Sequence, residues 1–246
     1  MPSISSAPRR ARLAALALVA LVGVTLVVLG TQNKGDRTSP AKDDGDQRAT
    51  GSSQTAAAED PGLARRAPGD PLALGSADAP VVIVEYADFR CPFCARFTRE
   101  TLPALVEKYV ETGLVRYEFR DVPLFGDDSL AASVAGRAAG RQGRFWEFLS
   151  AVHAAAPDGG HPPMPTATLL RFAREAGVAD LEQFERDLDD DTLTQAVDTD
   201  AAEARAVGAT SVPFFAIDNV AVSGAQPLEV FEEVIEKRLA AHGVAR

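Results

Sequence analysis

The chain has 246 residues, 46% of them hydrophobic and 24% charged, with a formal net charge of −10 and only two cysteines. That length allows one large domain or two small ones. Arg9, Arg10 and Arg12 give the start a charge of +3 and residues 31–70 are nearly balanced, so residues 71–246 carry about −12. Such an acidic region argues against a nucleic-acid partner, which needs basic side chains to displace counterions; it serves solubility instead.

Residues 1–12 are polar and basic, and Leu13 to Gly30 is apolar, with Thr25 the one clearly polar side chain. Eighteen such residues are about the length that crosses a bilayer core. A secretory signal has a shorter apolar stretch and a small-residue cleavage site. Val28-Leu29-Gly30 offers a weak site of that kind, so a cleaved signal stands beside an uncleaved signal-anchor; the length favours the anchor. No cysteine follows the apolar stretch, which excludes lipoprotein processing. With the arginines on the near side, the N-terminus stays cytoplasmic and residues 31–246 lie outside the cell membrane, in a compartment that tolerates disulfides. Residues 31–70 are rich in Gly, Ser, Thr, Asp, Lys and Ala without an apolar period, the composition of a disordered tether.

The folded domain is expected from Pro71 to the C-terminus. Leu72-Ala73-Leu74-Gly75 reads as a short edge strand. Val81 to Tyr86 is apolar on both faces, as in a central strand covered by helices on each side. Glu85 interrupts it. By alternation Glu85 shares a face with Val81 and Ile83 and points into covered territory, where a lone carboxylate has a raised pKa; if the strand ends early, Glu85 is solvated instead. The strand runs into Cys91-Pro92-Phe93-Cys94. Pro92 suits the first helical position because its missing N–H would have no partner there, which makes Cys91 the N-cap. Its sulfur then faces the free N–H groups of Phe93 and Cys94 and the positive end of the helix dipole, so its thiolate is favoured. Cys94, three residues on, shares the helical face and is less exposed. This is a dithiol poised to cycle to a disulfide, with Cys91 the nucleophile.

Other uses of the pair are weaker. Structural zinc takes four ligands, and His153, His161 and His242 have no ligand-like spacing, so no metal is expected. A staple closing two intervening residues removes little chain entropy. The strand–C-x-x-C–helix context favours redox chemistry.

Leu102, Leu105, Val106, Tyr109 and Val110 form a helical stripe, with a kink expected at Pro103 and Gly113 as the C-terminal cap. Leu114 to Arg120 alternates as a strand with one face buried more than the other. From Gly126 to Gly208 the pattern is helical: Asp128–Ala139, Arg144–Ala156, Thr166–Ala176, Asp180–Leu188 and Thr192–Val207, with Asp180 and Gln183 an N-terminal cap. A block of this length, about 126–208, between two core strands is an inserted helical subdomain. Phe145, Trp146 and Phe148 are expected in the core, and His153 on the surface or in the core. A strand then begins after Val212-Pro213, turns at Asp218-Asn219 into Val220 to Gly224, and Pro227 opens a last helix that faces Leu228, Phe231, Ile235 and Leu239 inward.

V-E-Y-A-D-F-R-C-P-F-C, from Val84 to Cys94, resembles the active-site segment of the DsbA-like branch of the thioredoxin superfamily. Arg141 to Phe148 resembles a further segment of that branch, and Val212-Pro213 its cis-proline element; the likeness runs from about Pro71 to the end. It implies an α/β thioredoxin-like fold, a central mixed sheet flanked by helices with an inserted helical subdomain, here preceded by a transmembrane helix. It implies a protein-disulfide oxidoreductase with Cys91 and Cys94 as redox pair and no cofactor. Glu85 takes the place of the buried acid near the second cysteine, where it takes the proton from Cys94, directly or through water, when Cys94 must act. Pro92, Phe93, Val212 and Pro213 take the place of the client-contacting residues, with the backbone before the cis-proline free to pair with an extended client. The implied partners are exported cysteine-containing proteins and a membrane reoxidase linked to quinone. Members of the branch with histidine at the position of Phe93 are strong oxidants, so Phe93 leaves the direction open between an oxidase and a reductase or isomerase. A tethered non-redox binding module is disfavoured by both cysteines being intact, and the glutathione-using isomerase branch by Cys91, where serine is typical.

Overall fold

The computed structural model describes residues 62–244. The apolar stretch 13–30 and the tether over 31–61 lie outside these residues. Among the described residues no helix is long and apolar enough to cross a membrane.

Five strands form one mixed sheet in the order β1-β3-β2-β4-β5. They are β1 (Ala73–Leu74), β2 (Val81–Ala87), β3 (Val115–Asp121), β4 (Phe214–Ile217) and β5 (Val220–Ser223). β2 and β3 run parallel, with Glu85 beside Phe119 and Val84 beside Glu118; the other pairings are antiparallel. β2 is therefore central and buried along its whole length, as its unbroken apolar run requires. The β4–β5 hairpin turns at Asp218-Asn219, and Asp218 holds a φ of 50° while its Oδ1 accepts the Val82 N–H at 3.1 Å.

α1 (Pro92–Glu100), α2 (Leu102–Leu105) and the π-helical stretch Val106–Val110 follow the redox pair. The kink expected at Pro103 appears as a break at Thr101, two residues earlier. Proline lacks the N–H that would continue the α1 ladder, so α1 closes with the Thr101 N–H on Phe97 O at 2.9 Å. On this side of the sheet Phe97 packs against Phe215 and Phe231, ring centroids 4.5 and 5.2 Å apart, with Val81, Ile83 and Tyr117 beneath. Burying one such aromatic side chain is worth about 1.5–3 kcal/mol. The last helix, α8 (Leu228–Ala241), supplies Phe231, Ile235 and Leu239 to this core. Pro227 is its cap, one residue outside the expected start.

Five helices connect β3 to β4: α3 (Asp127–Arg141), α4 (Phe145–Ala154), α5 (Thr166–Glu175), α6 (Leu181–Asp187) and α7 (Asp191–Ala206). Asp180 caps α6 by accepting the Gln183 N–H at 2.8 Å. These helices enclose a second core around Phe89, Phe145, Phe148, Phe172 and Phe184, where Phe145 and Phe148 were expected. α3 passes so close that a Cβ at Gly136 would sit 2.5 Å from the Phe89 ring; only glycine fits there.

Two expectations are corrected. The tether does not run to residue 70, because residues 62–67 lie across the sheet as a strap. The backbone N–H groups of Arg65 and Arg66 donate to Glu118 at 3.0 and 2.8 Å, and Leu63 O and Ala67 O accept from Arg120 and Arg116. Composition missed this because the strap is held by polar bonds, not by an apolar period. For the same reason β3 is buried on both faces. Arg116, Glu118 and Arg120, on the face expected to be the less buried one, are covered by the strap and by α7, whose Glu203 pairs with Arg120 at 3.2 Å.

Candidate active site

β2 delivers the chain to the site, and Asp88 bends it there. Asp88 Oδ1 accepts the Arg90 N–H at 2.7 Å and the Ser129 hydroxyl at 3.0 Å, while Oδ2 accepts the Leu124 N–H at 2.7 Å. The Asp88 carbonyl accepts the Cys91 N–H at 3.1 Å. Phe89, one residue on, is edge-packed against Phe119, Phe145 and Phe148 and anchors the turn. Cys91 emerges as the N-cap of α1 in extended conformation, with Pro92 opening the helix.

Both cysteines are free thiols. Cys91 is 2% exposed and Cys94 is sealed at 0%. The Cys94 thiol bonding to the Cys91 sulfur is the largest influence on Cys91. With the N–H groups of Cys94 and Phe93, and against burial and the charge of Asp88, it brings the Cys91 pKa down to about 7. Cys94 moves the other way: burial, then the neighbouring Cys91, then Glu85 hold its pKa well above that of a free thiol. The two thiols are thus set apart, Cys91 favoured as a thiolate and Cys94 kept as a thiol beneath it.

Glu85 is fully buried, on the face its alternation predicts. Burial raises its pKa to about 8, opposed by the Tyr117 hydroxyl, which donates to Oε2 at 2.7 Å. The charge of Cys91 raises it further, and Cys94 in turn feels Glu85. The structure therefore gathers Cys91, Cys94 and Glu85 into one electrostatically coupled group.

Val212-Pro213 is a cis peptide bond. The Val212 carbonyl accepts from the Cys91 thiol at 3.6 Å. Pro213 is buried behind it and does not line the surface. Pro92, Phe93 and Val212 do: with Cys91, Leu124 and His161 they border a groove of about 510 Å³. Phe93 is 55% exposed and Leu124 45%, so the groove presents apolar surface beside the Cys91 sulfur.

Several residues here escaped the sequence reading. Arg90, 7% exposed, donates to Phe125 O and Pro162 O at 2.7 Å and to His161 O at 2.6 Å. It pins the two loops that form the far wall. His161 stacks on Phe125, ring centroids 3.5 Å apart. Arg90 adjoins Cys91 in sequence, a signal that adjacency gave; its loop partners lie 35 and 71 residues away and gave none. His153 is buried, bonded to Thr98 at 2.9 Å, and neutral, because burial and then Arg99 lower its pKa to about 3. It braces α4 against α1.

The family described as Thioredoxin matches residues 67–237. A "Probable disulfide bond formation protein D" of Bacillus anthracis is 32% identical over 143 residues, covering 57% of this chain and 66% of that protein, just short of two thirds of the relative's length. Among solved structures, oxidised BdbD from Bacillus subtilis has a TM-score of 0.65 at 25% identity, covering 70% of this chain and 94% of that one. α-DsbA1 of Wolbachia pipientis has a TM-score of 0.62 at 26% identity, covering 70% and 92%.

Proposed function

The chain belongs to the thioredoxin family, and from that premise we propose that it is a protein-disulfide oxidoreductase of the DsbA-like kind, working as an oxidase that donates the Cys91–Cys94 disulfide to exported proteins. The observation that carries this reading is the placement of the pair: Cys91 stands as the extended N-cap of α1 at the rim of an apolar groove, with Cys94 sealed beneath it. A stabilised thiolate is a good leaving group, and a pair whose reduced form is stabilised is the more oxidising one. The similarity to disulfide bond formation proteins supports it.

A client thiolate attacks Cys91 Sγ, the Cys91–Cys94 bond breaks, and Cys94 leaves with the electron pair. Glu85, protonated at neutral pH, gives Cys94 a proton. A second client thiolate then attacks the client sulfur of the mixed disulfide, and Cys91 departs as a thiolate. The client gains a disulfide and the enzyme is left as the dithiol. Phe93, Leu124 and Val212 border the groove that takes the client backbone and its apolar neighbours. Reoxidation of the dithiol falls to a quinone-linked membrane partner. The apolar stretch 13–30 anchors the chain by a single pass, residues 1–12 inside and the catalytic domain on the extracytoplasmic side.

Cys91→Ser abolishes turnover of a dithiol peptide, and Cys94→Ser accumulates mixed disulfides with clients, visible on non-reducing gels. Turnover by Cys91→Ser at the wild-type rate contradicts the assignment. For the anchor, protease added outside spheroplasts digests the domain; a protected domain contradicts the orientation.

A further inference from the structure

Glu85 is held by one oxygen only. Tyr117 Oη donates to Oε2 at 2.7 Å, whereas Oε1 is buried with no hydrogen-bond partner. Buried polar atoms are nearly always paired, so an open acceptor in a sealed site, electrostatically coupled to Cys94, marks an atom whose partner changes during the reaction.

Few groups face this carboxyl. Tyr117 comes from β3, and Cys91 and Cys94 from the start of α1. β4 sets Phe215 alongside and has no titratable side chain. α8 offers Phe231 and Ile235 to the same core. From α4, Trp146 lies edge-on to Tyr117, ring centroids 6.0 Å apart, with its Nε1 buried and unpaired. Among the described residues no cation enters the balance at Glu85. Tyr117 is itself fully buried, and burial, then the Glu85 charge, hold its pKa well up. It keeps its proton throughout and serves only as a donor.

We propose that Tyr117 is a positioning residue of the redox site, which holds Glu85 by Oε2, favours its ionised form and leaves Oε1 as the oxygen that exchanges a proton with Cys94. The inference rests on the reading of Glu85 as the proton partner of Cys94. When a client thiolate bonds to Cys91 and the Cys91–Cys94 bond breaks, the proton passes from Oε1 to the departing Cys94 sulfur. Glu85 is left as a carboxylate with the Tyr117 bond intact. In reverse, Oε1 takes the Cys94 proton, Cys94 attacks Cys91 of the mixed disulfide, and the client leaves as a thiolate. No additional oxidant or reductant is consumed.

The test uses the full chain in its disulfide form, where neither cysteine carries a proton. Trp146 is the single tryptophan, so its fluorescence, titrated from pH 6 to 10, reports on the Tyr117–Glu85 pair; the transition lost in Glu85→Gln is that of Glu85. Tyr117→Phe removes a bond that favours the carboxylate, so the midpoint rises by about one unit, a tenfold change in the ionisation equilibrium. The pH profile of dithiol-peptide turnover moves with it, and Glu85→Gln/Tyr117→Phe behaves as Glu85→Gln alone. Site-specific 3-fluorotyrosine at position 117, a stronger donor of the same shape, lowers the midpoint and decides the matter even where Tyr117→Phe fails to fold. Midpoints unmoved by either replacement, with the transition still absent in Glu85→Gln, overturn the role of Tyr117 and leave that of Glu85 standing. A transition and turnover profile unchanged in Glu85→Gln overturn both.

Discussion

Glu85 on β2 and Glu118 on β3 are both fully buried, yet they face opposite sides of the sheet and meet opposite surroundings. Glu118 takes four donors. Oε1 accepts from the Arg66 N–H and from Arg116 Nε at 2.8 and 2.6 Å, and Oε2 from the Arg65 N–H and Arg120 Nη2 at 3.0 and 2.6 Å. Against the cost of burial, Arg116, the Arg65 N–H and Arg120 hold its pKa down to about 2. Glu85 has a single hydroxyl donor and rises to about 8. Burial alone therefore does not decide what a carboxylate does: its partners do. The clasped one is a structural rivet for the strap, and the unclasped one is held toward its protonated form.

The largest effect comes from breaking the clasped side. Glu118→Ala leaves Arg116 and Arg120 buried without their shared anion, at a cost of about 3–5 kcal/mol. Urea unfolding measures it, and a loss below about 1 kcal/mol contradicts the rivet. The turnover of the molecules that remain folded stays near wild type, since Glu118 faces away from the cysteines.

The unclasped side responds to pH with the opposite sign. A folded pKa raised to about 8 from 4.5 means that the fold favours protonated Glu85. Its contribution is fully present below pH 4.5 and is lost as pH rises through about 8. Glu85→Gln removes that dependence. Relative to its difference from wild type at pH 4.5, the variant gains roughly 2–4 kcal/mol at pH 8.5, while client oxidation slows. For Glu118, lowered to about 2, stability is present above pH 4.5 and lost as pH falls toward 2. Glu118→Gln thus flattens the acid limb and leaves the alkaline limb alone. Parallel pH profiles for the two variants contradict the comparison.

The smallest effect is at the groove. Phe93→Ala removes exposed apolar surface and raises the KM for an apolar dithiol peptide by about three- to tenfold, with little change in stability. An unchanged KM removes Phe93 from client contact.

Much of this was readable from the chain. The run Val81 to Tyr86, the interruption at Glu85 and Pro92 after Cys91 specify a buried strand, a buried acid and a capped helix by local rules of period and cap. The five inserted helices follow from the same rules, within a residue or two at their ends. What remained hidden depends on contacts distant in sequence. Arg116, Glu118 and Arg120 fall on the face of β3 expected to be the less buried one, until the strap covers them. Tyr117 reads as one more inward aromatic until its hydroxyl meets Glu85 across the parallel β2–β3 pairing. Arg90 carries no mark beyond its place beside Cys91 until the loops at Phe125 and His161 close on it. Polar networks of this kind leave no periodic trace, because each donor is matched to an acceptor by geometry and not by spacing.

The central claim is the proposal that the Cys91–Cys94 pair acts as a disulfide donor. Its most direct test is the equilibrium reduction potential of Cys91–Cys94, read from the fraction of dithiol across a glutathione buffer series at pH 7. The account predicts a single two-electron transition well above the thioredoxin value of about −270 mV. A potential at or below that value, or no reversible two-electron transition at all, contradicts it.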